Sequence, residues 1–229
     1  MRGLGLGLLS IPVFGYCAWA LMAIWIDGPP ERAIAGALCG VLALAYLYCL
    51  VRVRPYRRAL LALAVLAVGV SAWWFSIPAS NDRDWLPDVA NPARAHFEGS
   101  KVTIENIRDF TYRSETDYDP HWDTRSYDLD KIKSVDLFIS FWGPTLYAHT
   151  IMSWEFADSL PLAISIETRK EKGESYSALL GFFRQYELYY VVADERDVVG
   201  VRDLFRGERT YLYRLSAPPE NARRLFALP

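Results

Sequence analysis

The sequence predicts a helical membrane anchor of three transmembrane helices followed by an α+β domain built on an antiparallel sheet, and three observations carry that prediction. Gly3 to Ile26, Ala33 to Val51 and Ala59 to Ile77 are apolar stretches of about 20 residues without a charge, the length of a helix that crosses a hydrocarbon core. From Lys101 onward, apolar and polar residues alternate with the period of two that marks strands. The charges are also segregated: six of the 25 basic and two of the 27 acidic residues precede Pro78, which leaves the rest of the chain at net −6. Three parts follow, an anchor over 1–77, a juxtamembrane linker over 78–99 and the α+β domain over 100–229.

None of the three apolar stretches has the polar stripe of a buried helix in a soluble protein. The first is longer than the apolar core of a signal peptide and reads as a retained span. Tyr16 stands where a lipoprotein acylation site needs a small residue, so Cys17 reads as a packing residue. Gly36 and Gly40, like Gly3, Gly5 and Gly7, have spacings that let helices approach closely. Arg52, Arg54, Arg57 and Arg58 fill the loop between spans two and three, and the positive-inside rule puts that loop and the amino terminus in the cytoplasm. Residues 78–229 then lie outside, which for the inner membrane of a Gram-negative bacterium means the periplasm. Trp73, Trp74 and Phe75 fall where an aromatic belt or ring packing between spans is expected. With no ionisable group inside any span, the membrane part lacks the usual mark of a transporter or channel. The bilayer is thus the first partner, and the acidic exterior argues against nucleic acid.

Pro78 to Arg94 is rich in proline, aspartate and asparagine and reads as linker. Val102, Ile104 and Ile107 mark a strand, and Asp109 to Leu129, where rings interleave with charges, reads as a surface loop or hairpin. Val135, Leu137, Ile139 and Phe141 then alternate with Asp136, Ser140 and Trp142, the pattern of a half-buried strand. Gly143-Pro144 breaks the run, a second strand run extends from Thr145 to Phe156, and Ala157-Asp158-Ser159 turns into a third from Leu160 to Thr168. His149, Ile151, Ser153 and Glu155 share one face of the second; Ala163, Ser165 and Glu167 share one face of the third. An imidazole and a carboxylate on neighbouring strands are two members of a three-part nucleophilic site. Ser175 caps an expected helix over Tyr176 to Gln185, with Leu179, Leu180 and Phe183 as its stripe. Strands follow at Glu187 to Val192 and Thr210 to Leu215, and Pro218 opens a last helix bearing Ala222, Leu225 and Phe226. Lys170 to Glu174 and Asp194 to Asp197 read as solvated turns, the sharper alternative being that Arg169, Arg184 or Arg196 pairs internally with Glu167, Glu187 or Asp194. His96 and His121 lie in polar, loop-like sequence, and no two histidines have metal-ligand spacing, so neither a metal nor another cofactor is expected.

Trp85-Leu86-Pro87-Asp88, Ile107-Arg-Asp-Phe110, Arg113-Ser-Glu-Thr-Asp117, Trp122-Asp-Thr-Arg-Ser-Tyr127, Ala148-His-Thr150, Ile166-Glu-Thr-Arg-Lys-Glu-Lys-Gly-Glu174, Gly181-Phe-Phe-Arg-Gln-Tyr-Glu187, Asp194-Glu-Arg-Asp197 and Tyr211-Leu-Tyr213 occur in one order. This run, over nearly all of residues 81 to 226, resembles the Lnb N-terminal periplasmic domain family. That family is named after a bacterial lipoprotein N-acyltransferase, and its fold is similar to circularly permuted papain-like enzymes of the NlpC and lecithin–retinol acyltransferase kind. The resemblance implies that His149 is the general base and that Glu167, or alternatively Ser165, holds its second nitrogen. It also implies a nucleophilic cysteine in an asparagine-cysteine pair after the helix that begins near Pro218. Here Cys17, Cys39 and Cys49 all lie in the apolar stretches and the 229 residues end before such a pair, so the domain reads as incomplete and the polypeptide as inactive. Two functions are expected in consequence: a cysteine acyltransferase or thiol hydrolase acting on a phospholipid or lipoprotein, or a non-catalytic membrane-anchored binding or scaffold protein.

Overall fold

The computed structural model describes residues 2–143 and 147–227, with side chains from Ile11 on. The chain forms two compact units: residues 1–83 with 175–187, and residues 84–174 with 188–229.

The first unit is helical. Helices α1 (Arg2–Asp27), α2 (Arg32–Arg52) and α3 (Tyr56–Ser76) match the three apolar stretches. By length and composition α2 and α3 can each cross a bilayer, and the described part of α1, Ile11–Asp27, is a shorter apolar helix. Ala20, Leu42, Tyr46, Cys49 and Leu63 form their shared core, with Cys17 packed against it. Tyr16 donates its hydroxyl hydrogen to the carbonyl of Ala67 at 2.7 Å, which meets its hydrogen-bonding need inside apolar surroundings. The glycine spacing in α2 is not a close-approach seam: a side chain at Gly36 would meet only the Trp25 ring, at 3.8 Å, and Gly40 borders open space. The rings at the end of α3 divide their roles, since Trp74 packs edge-on against Trp19 while Phe75 is 70% exposed.

The second unit is a sheet. Its strands are β1 (Arg94–Glu98), β2 (Lys101–Arg108), a small hairpin of β3 (Thr111–Tyr112) and β4 (Tyr118–Asp119), then β5 (Trp122–Asp128), β6 (Ile132–Phe141), β7 (Ala148–Phe156), β8 (Leu162–Arg169), β9 (Glu187–Ala193) and β10 (Arg209–Leu215). The main sheet runs β1-β2-β9-β8-β7-β6-β10, with β5 also on β2. Strands β1 and β5 each pair antiparallel with β2, β6 pairs antiparallel with β7 and β10, and β7 pairs antiparallel with β8, whereas β2 meets β9 in parallel at Arg108 and Ala193. A bulge between Ile104 and Ile107 puts Asn106 at φ 60°, a left-handed position that asparagine tolerates, and its side chain donates to the carbonyl of Pro92. Pro144 and Thr145, read as break and strand start, lie outside the described residues, as do Leu228 and Pro229.

One face of the sheet is apolar. Val102, Ile104, Tyr127, Val135, Trp154, Phe156 and Leu162 pack there with Ala222 and Phe226 of helix α6 (Pro219–Phe226). Trp154 sits edge-on to Phe226 and donates its indole hydrogen to the carbonyl of Ala222, so one side chain both buries area and holds the helix. On the opposite face Ile151, Ala163, Val191 and Ala193 pack with Val198 of helix α4 (Glu195–Val198), which helix α5 (Gly200–Leu204) follows.

Three expectations change. Strand β6 is not half-buried, because Asp136 and Ser140 are as buried as Val135, so both faces are covered. The stretch 78–99 is more than linker: Trp85 and Val89 are buried, a 3₁₀ turn occupies Pro87–Val89, and β1 begins at Arg94. The buried Arg169 holds that turn by donating to the carbonyls of Val89 and Ala90 at 2.9 Å while stacking 4.1 Å from the Trp85 ring. Tyr176 to Gln185 is not an α-helix; it contains a 3₁₀ turn at Leu180–Phe182 and belongs to the helical unit.

Candidate functional site

Antiparallel register assembles the site. Ser140 lies opposite His149 across β6 and β7 and opposite Thr210 across β6 and β10. The ladder between β7 and β8 pairs Ile151 with Ser165; continuing that register by two residues sets His149 level with Glu167, and their side chains lie 3.2 Å apart. Thr210, Ser140, His149 and Glu167 therefore form one row on one face, with Ser165 in the next row. This is the face that carries α4 and α5.

Between these two rows the hydrogen bonds fix a direction. Ser165 donates its hydroxyl hydrogen to Glu167 Oε1 at 2.8 Å, so its oxygen is left to accept from His149 Nε2 at 2.7 Å. Nε2 also lies 3.2 Å from Glu167 Oε1. The neutral imidazole thus carries its hydrogen on Nε2, and Nδ1, which makes no hydrogen bond among the described residues, presents a lone pair. The structure brings His149, Ser165 and Glu167 together, with the serine nearer the ring than the carboxylate.

Arg202 of α5 completes the site from the other side. Its guanidinium reaches Glu167 at 2.7 Å and Glu208 at 3.1 Å, and Glu208 accepts from Ser140 at 2.7 Å, which in turn contacts the Thr210 hydroxyl at 2.9 Å. The chain of partners runs from His149 through Glu167, Arg202 and Glu208 to Ser140, across from the histidine where it began. Burial pushes the Glu167 carboxyl up, but the hydrogen bond from His149, the Arg202 charge and the Ser165 hydroxyl outweigh it and hold that carboxyl well below its usual range. An anionic Glu167 held in place is what stabilises an imidazolium when His149 takes up a proton.

Sequence reasoning missed Arg202, Glu208 and Ser140. Ser140 gave one signal, a hydroxyl on the same alternation as His149, whereas Val198 to Phe205 had no legible period to place Arg202. The turn Asp194 to Asp197 is corrected as well. Asp197 is fully buried, accepting from Arg108 at 2.7 Å and from the Phe110 backbone at 2.8 Å, so it ties β2 to α4. Of the three proposed arginines, Arg196 pairs mainly with Asp109 on the surface, while Glu167 takes Arg202 and Glu187 takes Arg83. His96 and His121 are about two-thirds exposed, with side-chain values of 65% and 64%. Among the described residues no cluster of three histidine, cysteine or acidic side chains is placed to hold a metal ion.

Residues 118–228 match the Lnb N-terminal periplasmic domain. This part of the chain is similar to that family. The matched Lnb segment begins at β4 and takes in β5 to β10 and both halves of the site, His149 with Glu167 and Arg202 with Glu208. Neither the curated proteins nor the solved structures gave a match to the chain. A periplasmic domain family joined to apolar helices fits a membrane-anchored periplasmic protein.

Proposed function

We propose that this is an inner-membrane protein, amino terminus in the cytoplasm, whose periplasmic domain supplies the histidine and carboxylate of a permuted papain-like cysteine acyltransferase. The observation that carries the reading is the bond order at His149, with Nε2 fixed by Ser165 and Glu167 and Nδ1 left as proton acceptor. In this reading Nδ1 takes the proton of a cysteine thiol, and the thiolate adds to the carbonyl carbon of an acyl ester. As the ester bond breaks and a thioester forms, the imidazolium returns the proton to the departing alcohol. An amine then attacks the thioester, giving its proton through His149 to the leaving thiolate, which regenerates the thiol. Glu167, clamped by Arg202, keeps the ring oriented and balances its positive state. An acyl donor or acceptor that stays in the bilayer, a phospholipid or a lipoprotein, suits an enzyme tethered there.

Residues 78–229 contain no cysteine, so the 229-residue polypeptide is inactive in acyl transfer on this reading. The same absence favours a second reading, a non-catalytic membrane-anchored binding or scaffold protein. Intact mass and iodoacetamide labelling of the natural membrane-embedded protein separate the two. The acyltransferase reading expects a mass above that of 229 residues and one reactive thiol outside the bilayer, with labelling reduced about 100-fold in His149→Ala, the scale of a lost general base. The mass of the 229-residue chain with no such thiol overturns it and leaves the binding role.

A further inference from the structure

Between β8 and β9 the chain leaves the sheet, and Ser175–Glu187 packs with the three helices instead. Its second half is fastened to the helix ends by polar contacts. Asp27, the last residue of α1, accepts from the Arg184 backbone at 3.1 Å, from the Gln185 amide at 3.2 Å and from the Trp74 indole at 2.7 Å. Arg184 lies 4.6 Å over the Trp74 ring and 5.9 Å from the Phe75 ring, and donates to the carbonyl of Ile77, the residue that caps α3. A cation that caps a helix carboxyl terminus beside the exposed Phe75 ring marks the level at which apolar helix meets headgroup.

The first half has the opposite character. Tyr176 to Phe183 is eight residues without a charge, and Tyr176, Leu179 and Phe182 are 56%, 58% and 75% exposed. Phe75, on the helix end to which this segment is bound, is 70% exposed. Apolar side chains left bare at the end of a bundle of apolar helices continue the surface that those helices present to lipid.

We propose that Tyr176–Phe182 is an interfacial lipid-docking segment, with Leu179 and Phe182 seated in the leaflet that borders the carboxyl-terminal ends of α1 and α3. The proposal rests on the reading of the helices as a membrane anchor. Its occupant is the bilayer rather than a protein, because the segment belongs to the unit of apolar helices and is held at their ends, beside the exposed Phe75, by Asp27, Arg184 and Gln185. A short 3₁₀ turn at Leu180–Phe182 suits the task, since it presents bulky side chains without requiring a full helix.

Photocrosslinking tests this in the full-length protein, reconstituted in vesicles of phosphatidylethanolamine and phosphatidylglycerol. Benzoylphenylalanine is placed in turn at Leu179, at Phe182, at Leu44 on the exposed surface of α2, and at His96 as an aqueous reference. The expected result is phospholipid adducts at Leu179 and Phe182 in amounts like those at Leu44 and about tenfold above His96. Adducts at Leu44 alone overturn the proposal while the anchor reading stands, and adducts to a second protein chain at Leu179 or Phe182 overturn it in favour of a protein contact. Absence of lipid adducts at Leu44 overturns the anchor reading, and the docking segment with it.

Discussion

On one face of β6, β7 and β8, Trp154, Phe156 and Leu162 pack with Phe226 of α6, while on the other Asp136, Ser140, Ser153 and Ser165 are buried just as deeply. The two faces obtain their order by different physics. Each apolar side chain contributes about 1.5–3 kcal/mol by leaving water, with little demand on direction. A buried hydroxyl or carboxylate nets only about 1 kcal/mol per hydrogen bond, yet costs more than that when a partner is missing. The apolar face therefore supplies stability. The polar face supplies a fixed geometry, in which the hydroxyl of Ser165 can point in one direction only.

The largest break in that comparison is Trp154→Ala. It opens a cavity beneath Phe226 and leaves the Ala222 carbonyl without its donor, so a loss of about 3–5 kcal/mol is expected in urea unfolding of the sheet unit. Next in size is Arg202→Met, which keeps the length of the side chain but leaves Glu167 and Glu208 without the cation between them. A loss of about 3 kcal/mol is expected, together with a rise in the Glu167 pKa that carbon-13 NMR of the carboxyl would report. Equal stability in Arg202→Met would mean that the polar face is not a coupled network.

A smaller effect separates charge from packing. Because the folded pKa of Glu167 is held below the ordinary 4.5, the stability it contributes is present above that value and is lost as pH falls through the folded pKa. In Glu167→Gln that contribution is absent at every pH. The difference in unfolding midpoint between the native protein and the variant should be constant above about pH 5 and shrink below it. A difference that does not change with pH would assign the effect to shape alone. Smallest of all is Arg113→Ala, on an exposed pair with Asp117 and Asp119, which should leave the unfolding midpoint where it is.

The legible part of the site was the part written in strand period. His149 and Glu167 lie on runs that alternate cleanly, so their shared face follows from the register of adjacent strands, and Ser165 comes with them. Arg202 lies in Val198 to Phe205, where apolar residues cluster without period, and Glu208 follows a turn at Gly207. Only the tertiary fold brings these across from Ser140. The segment Tyr176 to Gln185 misled for the reverse reason. Leu179, Leu180 and Phe183 have helical spacing, but a run of ten residues nucleates a helix poorly, and the contacts of Arg184 and Gln185 with Asp27 impose a different path. Likewise the acids of Asp194 to Asp197 looked solvated because nothing local showed that Arg108 would reach Asp197.

The junction at Asp27 also orders events in time. Its bonds to the Arg184 backbone join residues 157 positions apart, so α1 acquires this partner only after the intervening chain has been synthesised. At roughly 5–20 residues per second of synthesis that delay is on the order of 10 s or more. During it the Asp27 carboxylate is served by the Trp74 indole at most, and the bundle is inserted but unlocked. The helices of the anchor are thus made before the strands β1 to β8 and locked after them, and their completion waits on the strands encoded in between.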